Sequence, residues 1–355
     1  MAHDDWAIVV GVQFYPGLTN LAGSVNDAQG FYDWVISNPG GAVPPDQVAL
    51  IVSDPPPYNE PFPLPQNTEP KHATVQEAFD NLVYVADAHA NAGNGRQVGR
   101  RLYIYMSGHG CAPRVNDTAL LAANATRTIV GYHILGRLYA DWFLKSNYFE
   151  EVMLLMDCCR ESYPQVPPNI PPYIDRTGAD GLDKSKLFYG FATKWSRLSR
   201  ERQMSDGRVH GVFTFALLEG LKGAACDPTT GQITAATLGD YLYTNMKKFL
   251  RPEDLQDADI PKDPDIDYDK NPAVPFVIST VPIPQFKVTI NLPDGSAGKK
   301  VDILNNKFQP LDSVNAIPPL WVLQLNRGTY LVQILADSIQ KPFEVTGAGE
   351  VNVTF

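Results

Sequence analysis

Cysteine is scarce in this chain: Cys111, Cys158, Cys159 and Cys226 are the only four in 355 residues. No pair has C-x-x-C spacing with a second pair or histidines following, which excludes the common structural zinc sites. On a strand the neighbours Cys158 and Cys159 point to opposite faces, and a bridge between them would be strained. A reduced, cytoplasmic setting is therefore expected. Positive charge is also short, with 29 Lys and Arg against 39 Asp and Glu and a formal net charge of −10. That excludes general nucleic-acid binding and docking on anionic membranes. No run approaches the length of a membrane-spanning helix, about 18 apolar residues. The start, Met1-Ala2-His3-Asp4-Asp5, lacks a basic stretch and an apolar core, so no signal peptide is expected. Gly11-Val12-Gln13-Phe14, after the first apolar run, is neither G-x-G-x-x-G nor G-K-[ST], which counts against a nucleotide-binding protein.

What is abundant is proline, 30 residues of it, much in the stretches 53–70, 161–183 and 251–272, which are expected to be irregular. Between them, residues 6–11, 48–52, 102–106, 152–156, 186–192 and 274–278 read as short apolar strands. Helical spacing runs from Ser24, read as an N-cap, and over 74–90, 132–144, 212–221 and 235–250, the last capped by Thr234. Strands that are continuous apolar runs and alternate with helices predict an α/β fold with a mostly parallel sheet covered on both faces. After Pro282 and Pro284 the pattern changes to six short alternating strands at 286–290, 301–304, 321–325, 330–335, 343–345 and 351–355, a small all-β sandwich.

Two strings carry chemistry. Ser107-Gly108-His109-Gly110 follows one apolar run, and Asp157-Cys158-Cys159-Arg160 follows another, with His109 and Cys159 50 residues apart. Each reactive side chain stands where a strand runs out into a loop, the edge at which ligands bind in such sheets. A cysteine and a histidine at one sheet edge are the minimum kit for a thiol nucleophile. Cysteine is ordinarily a buried small hydrophobe, a reading that suits Cys111, Cys158 and Cys226. Cys159 sits at the strand exit beside a charged residue. Its thiol needs a base to react at neutral pH, and His109 can act as that base and then as acid to a leaving amine. Gly108 and Gly110 let the backbone approach a substrate, where an amide near His109 would stabilise an oxyanion. His3, His72, His89, His133 and His210 lack such a setting and are expected on the surface or in loops.

On these residues the chain resembles the caspase/metacaspase clan of cysteine peptidases, closest to bacterial metacaspase-like proteins. The segment 6–30 (W-A-I-V-V-G through S-V-N-D-A-Q-G) is similar to the opening strand, loop and N-D-A helix of metacaspase-like proteins. Residues 103–110 match the histidine motif Y-x-Y-x-S-G-H-G, residues 153–160 the cysteine motif, and 211–220 (G-V-F-T-F-A-L-L-E-G) the small-subunit helix. The resemblance implies a caspase-like α/β/α sandwich over residues 1–280. Within it, about 1–160 is large-subunit-like, 161–184 a proline-rich loop and 185–280 small-subunit-like, with 285–355 as the accessory β-sandwich.

It also implies roles. Cys159 is the nucleophile, His109 its partner, and the N–H groups of Gly110 and Cys159 the oxyanion donors. Asp157, two before the nucleophile, and Asp27, in the N-D-A motif, line the specificity pocket. Two carboxylates there favour Arg or Lys before the scissile bond and repel Asp; read from the sequence alone, Asp27 is an acid favoured in a helix first turn. The chain departs from the clan in Arg160-Glu161, where His-Ser or Arg-Gly is common. The proline-rich loop resembles the caspase activation loop, making Arg176, and after it Arg197, Arg200, Arg202 and Arg208, candidates for self-cleavage. Many metacaspases need calcium, but Asp175, Asp180 and Asp183 have no recognisable ligand spacing, so no metal or cofactor is expected. The expected partner is a peptide or protein substrate with a basic residue, and the resemblance implies a monomer. A catalytically silent caspase-like module used for assembly is the alternative. The β-sandwich offers no site chemistry, and partner recruitment or cover of the active site both stay open for it.

Overall fold

The computed structural model describes residues 4–53, 65–114, 117–162, 165–174, 185–194, 199–257, 260, 262–271, 273–283, 285–346 and 350–355. The chain divides into two compact units, Met1–Cys226 with Ile233–Ser279, and Asp227–Gln232 with Thr280–Phe355. The first is a mixed α/β unit around a six-stranded sheet. Its strands are β1 (Asp5–Gly11), β2 (Val48–Val52), β3 (Gly99–Gly108), β4 (Phe149–Cys158), β5 (Lys186–Phe191) and β6 (Asp265–Tyr268), in the order β6-β5-β4-β3-β1-β2. Every pairing is parallel except that of β6 with β5.

Side-chain alternation sorts the two faces of the sheet. On β3, Leu102, Ile104 and Met106 join the core formed with helices α2 (His72–Asn91) and α3 (Gly136–Lys145). Tyr103 and Tyr105 face the other way, where Phe31 of α1 (Ser24–Ile36) stacks on the Tyr105 ring at 4.7 Å. Helices α4 (Val212–Glu219) and α5 (Ala235–Asn245) pack with α1 on that side. A sheet covered on both faces explains why its strands are continuous apolar runs. The register then fixes the site. Gly11 pairs with Ser107, and Gly108 pairs with Cys158. His109 and Cys159 are therefore the next residues on adjacent parallel strands, which lie about 4.8 Å apart.

The opposite end of β3 is tied down by a buried cation. Arg101, 2% exposed, donates to Glu151 Oε2 (2.8 Å), Tyr103 Oη (2.8 Å) and the carbonyls of Val277 (2.6 Å) and Ile278 (2.7 Å). Removing one side of such a buried network strands the other. Arg101→Met is expected to lower the stability of this unit by about 3–5 kcal/mol in urea unfolding. It should leave the distant site chemistry of the folded fraction intact.

The second unit is all β. Its strands are β7 (Gln285–Asn291), β8 (Lys300–Leu304), β9 (Pro310–Asn315), β10 (Leu320–Asn326), β11 (Gly328–Ile334), β12 (Ile339–Val345) and β13 (Val351–Thr354), in sheets β10-β7-β13 and β9-β8-β11-β12. Val288, Ile290, Val301, Ile303, Val332 and Ile334 form their common core.

Several local expectations are corrected. Among the described residues there are seven strands here, not six; β9 (P-L-D-S-V-N) is exposed and lacks alternation, so nothing marks it. Strand β6 lies inside the stretch expected to be irregular; D-I-D-Y is a half-exposed edge. The helix expected over 132–144 begins at Gly136, because His133–Leu135 is a strand paired with Ala119–Leu121. Ser24 is not the N-cap of α1; Gly23 is, and it makes no side-chain cap. Glu201 accepts the N–H groups of Ala22 (2.9 Å) and Gly23 (3.0 Å) just ahead of the first turn, and Gln13 Oε1 accepts the Val25 N–H within it at 3.4 Å. Thr234 does cap α5, accepting from Thr237 N–H at 3.1 Å. No helix among the described residues is long and apolar enough to cross a membrane.

Candidate active site

Beyond the carboxyl ends of β1, β3 and β4 lies a cavity of about 600 Å³. His109, Gly110, Cys159, Asp27 and Asp157 all line it, with Glu201, Arg200 and Arg127 among the other charged side chains. The residues singled out in the sequence as catalytic and substrate-binding thus meet in one place.

His109 is gripped by the loop after β1. Its Nε2 lies 2.7 Å from the carbonyl oxygen of Thr19. A carbonyl only accepts, so Nε2 carries the proton and Nδ1 is left as the basic nitrogen. The Tyr15 ring meets the imidazole edge-on with centroids 4.8 Å apart. Gly110 has no room for a side chain, since a Cβ there would collide with the Cys159 carbonyl and with Cys158 Cβ.

The two adjacent cysteines have different surroundings. Cys158 ends β4, fully buried, with its thiol 3.7 Å from the Met106 carbonyl. Cys159 is partly exposed and its Sγ accepts the Ser199 N–H at 3.2 Å. Burial pushes the Cys159 thiol up to about 11; the Ser199 N–H opposes this and the Asp157 charge adds to it. A thiol so disfavoured as the anion reacts at neutral pH only with a base beside it.

Asp157, 5% exposed, takes three donors: Ser199 Oγ–H at 2.5 Å, Thr214 Oγ1–H at 2.8 Å and Thr214 N–H at 3.1 Å. Gly211 must lack a side chain here, because a Cβ would overlap the carboxylate. Asp27, fully buried in the first turn of α1, accepts from Gly211 N–H at 2.9 Å and lies 2.7 Å from His210 Nδ1. Burial pushes Asp27 up to about 7, against the His210 hydrogen bond and reinforced by the Asp157 charge. The same bond to Asp27 raises His210, whose Nε2 lies 2.9 Å from Asp206.

This corrects the reading of two histidines as surface or loop residues. His210 is 5% exposed and bridges two carboxylates, and His133 is fully buried. His210 is the middle residue of the short strand Val209–Gly211; a glycine follows it but no apolar run precedes it, so the signal that marked His109 is incomplete there. Tyr15, Thr19, Ser199 and Glu201 were not singled out, and nothing local marks them. Of the five candidate cleavage arginines, Arg176 and Arg197 lie outside the described residues. Arg200 lines the cavity, Arg202 donates to the Phe249 carbonyl at 2.8 Å, and Arg208 is exposed in a turn. Asp175, Asp180 and Asp183 also lie outside the described residues. Among those described, no group of three or more His, Cys, Asp or Glu side chains is placed to hold a metal.

No family model matches this chain. It is 26% identical over 235 residues, 62% of its length, to a probable protease of a Desulfuromonadales bacterium, and it spans only 26% of that relative. Among solved structures it is similar to a protein of Geobacter sulfurreducens, at TM-score 0.43 and 14% identity, covering 79% of this chain and 98% of that one. It is also similar to caspase-1 of Spodoptera frugiperda, at TM-score 0.42 and 12% identity, covering 75% and 88%.

Proposed function

We propose that the chain is a caspase-like cysteine endopeptidase with metacaspase-type specificity, cutting after Arg or Lys. The observation that carries this is the β3–β4 register. It makes His109 and Cys159 the next residues on adjacent parallel strands, and both line one cavity with the buried acids Asp157 and Asp27. The relative named a probable protease supports the reaction class, over the quarter of its length that this chain spans.

In the proposed reaction a basic side chain enters toward Asp157 and Asp27. The Cys159 proton passes to His109 Nδ1 as Sγ bonds to the peptide carbonyl carbon. Backbone N–H groups at Gly110 and Cys159 receive the oxyanion. The C–N bond breaks as the histidine returns the proton to the leaving amine, leaving a thioester. Water, losing a proton to His109, then releases the carboxylate and restores the thiol. Arg176, Arg197, Arg200, Arg202 and Arg208 remain candidates for self-cleavage.

The test is a panel of fluorogenic peptides that differ only at the residue before the scissile bond. Arg and Lys peptides should exceed Asp and neutral ones by at least about 100-fold in kcat/KM. Cleavage after Asp, with none after Arg or Lys, would overturn the specificity. A protein inert on every peptide but still able to bind them would favour the assembly module.

A further inference from the structure

We propose that Tyr15 is a positioning residue for His109, its hydroxyl standing in for a missing ladder hydrogen bond. The inference rests on the reading of His109 as the base. Residues Gly110–Ala112 pair antiparallel with Ala119–Leu121, Gly110 opposite Leu120 and Cys111 opposite Ala119. The next pair in that register is His109 with Leu121. In an antiparallel hydrogen-bonded pair the two residues exchange both N–H···O bonds. One half is present: Leu121 N–H donates to the His109 carbonyl at 2.8 Å. The other half runs through a side chain. His109 N–H donates to Tyr15 Oη at 2.9 Å, and Tyr15 O–H donates to the Leu121 carbonyl at 3.1 Å.

A hydroxyl, with one proton and two lone pairs, can relay in this way. Its insertion holds the His109 N–H off the Leu121 carbonyl, so the ladder stays prised open at the residue that must present a base. Two further features show that the insertion is built in. Tyr15 is 1% exposed, so no water competes for the relay. A Cβ at position 108 would lie 2.6 Å from Tyr15 Oη, so the glycine before His109 is what admits the hydroxyl. The same loop supplies the Thr19 carbonyl to Nε2 and the edge of the Tyr15 ring to the imidazole. The loop is itself folded by Tyr15, whose N–H donates to Asn20 Oδ1 at 2.8 Å and whose carbonyl accepts the Leu18 N–H at 3.0 Å. Backbone, ring face and ring nitrogen of His109 are thus all set by one loop.

Tyr15→Phe keeps the ring and deletes the relay. The His109 N–H and Leu121 carbonyl must then close on each other or stay buried and unpaired, and in both cases Nδ1 moves. The experiment measures, by mass spectrometry, the rate at which iodoacetamide alkylates Cys159 across pH in wild type, Tyr15→Phe and His109→Ala. It is run beside steady-state cleavage of an Arg peptide. For Tyr15→Phe we expect kcat to fall about 10- to 100-fold with KM within about two-fold. Its alkylation profile should shift toward that of His109→Ala. Unfolded molecules are alkylated too, with the profile of an ordinary free thiol, so the profiles are compared only where near-ultraviolet circular dichroism shows each variant fully folded. A Tyr15→Phe protein that melts lower but keeps the wild-type kcat and pH profile overturns the proposal and makes the hydroxyl purely structural. A His109→Ala protein with wild-type turnover and profile overturns the reading beneath it, and the role of Tyr15 with it.

Discussion

Cys159→Ala is expected to abolish peptide cleavage, lowering kcat/KM on the order of 10⁴-fold or more, whereas Cys158→Ala leaves it within a few-fold of wild type. The two thiols are adjacent in sequence and opposite in circumstance. Cys158 is the last residue of β4, fully buried and aimed at the Met106 carbonyl. Burial holds its thiol far above the ordinary range, and it has no place in the cavity lining. Its loss leaves a small void, about 1–2 kcal/mol of stability. Cys159 lines the cavity with His109. Burial pushes its thiol up to about 11, so in the proposed mechanism the anion forms as the base takes the proton. His109→Ala should therefore be nearly as damaging as Cys159→Ala, and the double variant no worse than either, since residues that act as a unit are not additive. Kinetics of the four proteins on one Arg peptide decide the matter. Activity that survives in Cys159→Ala but is lost in Cys158→Ala would move the nucleophile by one residue and sink the mechanism.

The strands that carry these residues were legible because a sheet covered on both faces leaves continuous apolar runs, as in 102–106 and 152–156. The same rule hid β6, whose D-I-D-Y is an edge, and β9, whose residues are mostly exposed. His109 and Cys159 were legible because strand exits with glycine or charge have a local signature. What holds them was not. Thr19 reaches His109 across 90 residues, Glu201 binds the Gly23 N–H at the start of α1 from 178 residues away, and His210 meets Asp27 across 183. Such contacts exist only once the sheet order is set. Ser24 is a good capping residue by composition, yet Gly23 is the N-cap, and a carboxylate brought in by the fold, Glu201, binds the N–H groups just ahead of the first turn.

Asp157→Asn is expected to cost about 10²- to 10³-fold in kcat/KM on Arg peptides, most of it in KM, and little on peptides with a neutral residue there. The substitution is nearly isosteric, and the fold should accept it. Thr214 presents its N–H and hydroxyl to Oδ2, so the remaining amide oxygen must take that side. The amide nitrogen then faces Ser199 Oγ, which can turn to accept. What is lost is charge at a buried site, where a guanidinium or ammonium has no water to fall back on. Gly211→Ala should imitate the effect from the other side, its methyl displacing the carboxylate without changing charge. A pH dependence follows from Asp27, held up to about 7 by burial and by the Asp157 charge. As pH rises through about 7 Asp27 gives up its proton and the pocket becomes more negative. KM for Arg peptides should then fall between pH 6 and 8, while that for neutral peptides stays flat. In Asp157→Asn the like charge that raises Asp27 is gone, so the same transition should move to lower pH. Steady-state KM values for an Arg and a norleucine peptide across that range read both effects. An Asp157→Asn protein that still prefers Arg as strongly as wild type would remove Asp157 from the pocket and leave the thiol and its base without the specificity assigned to them.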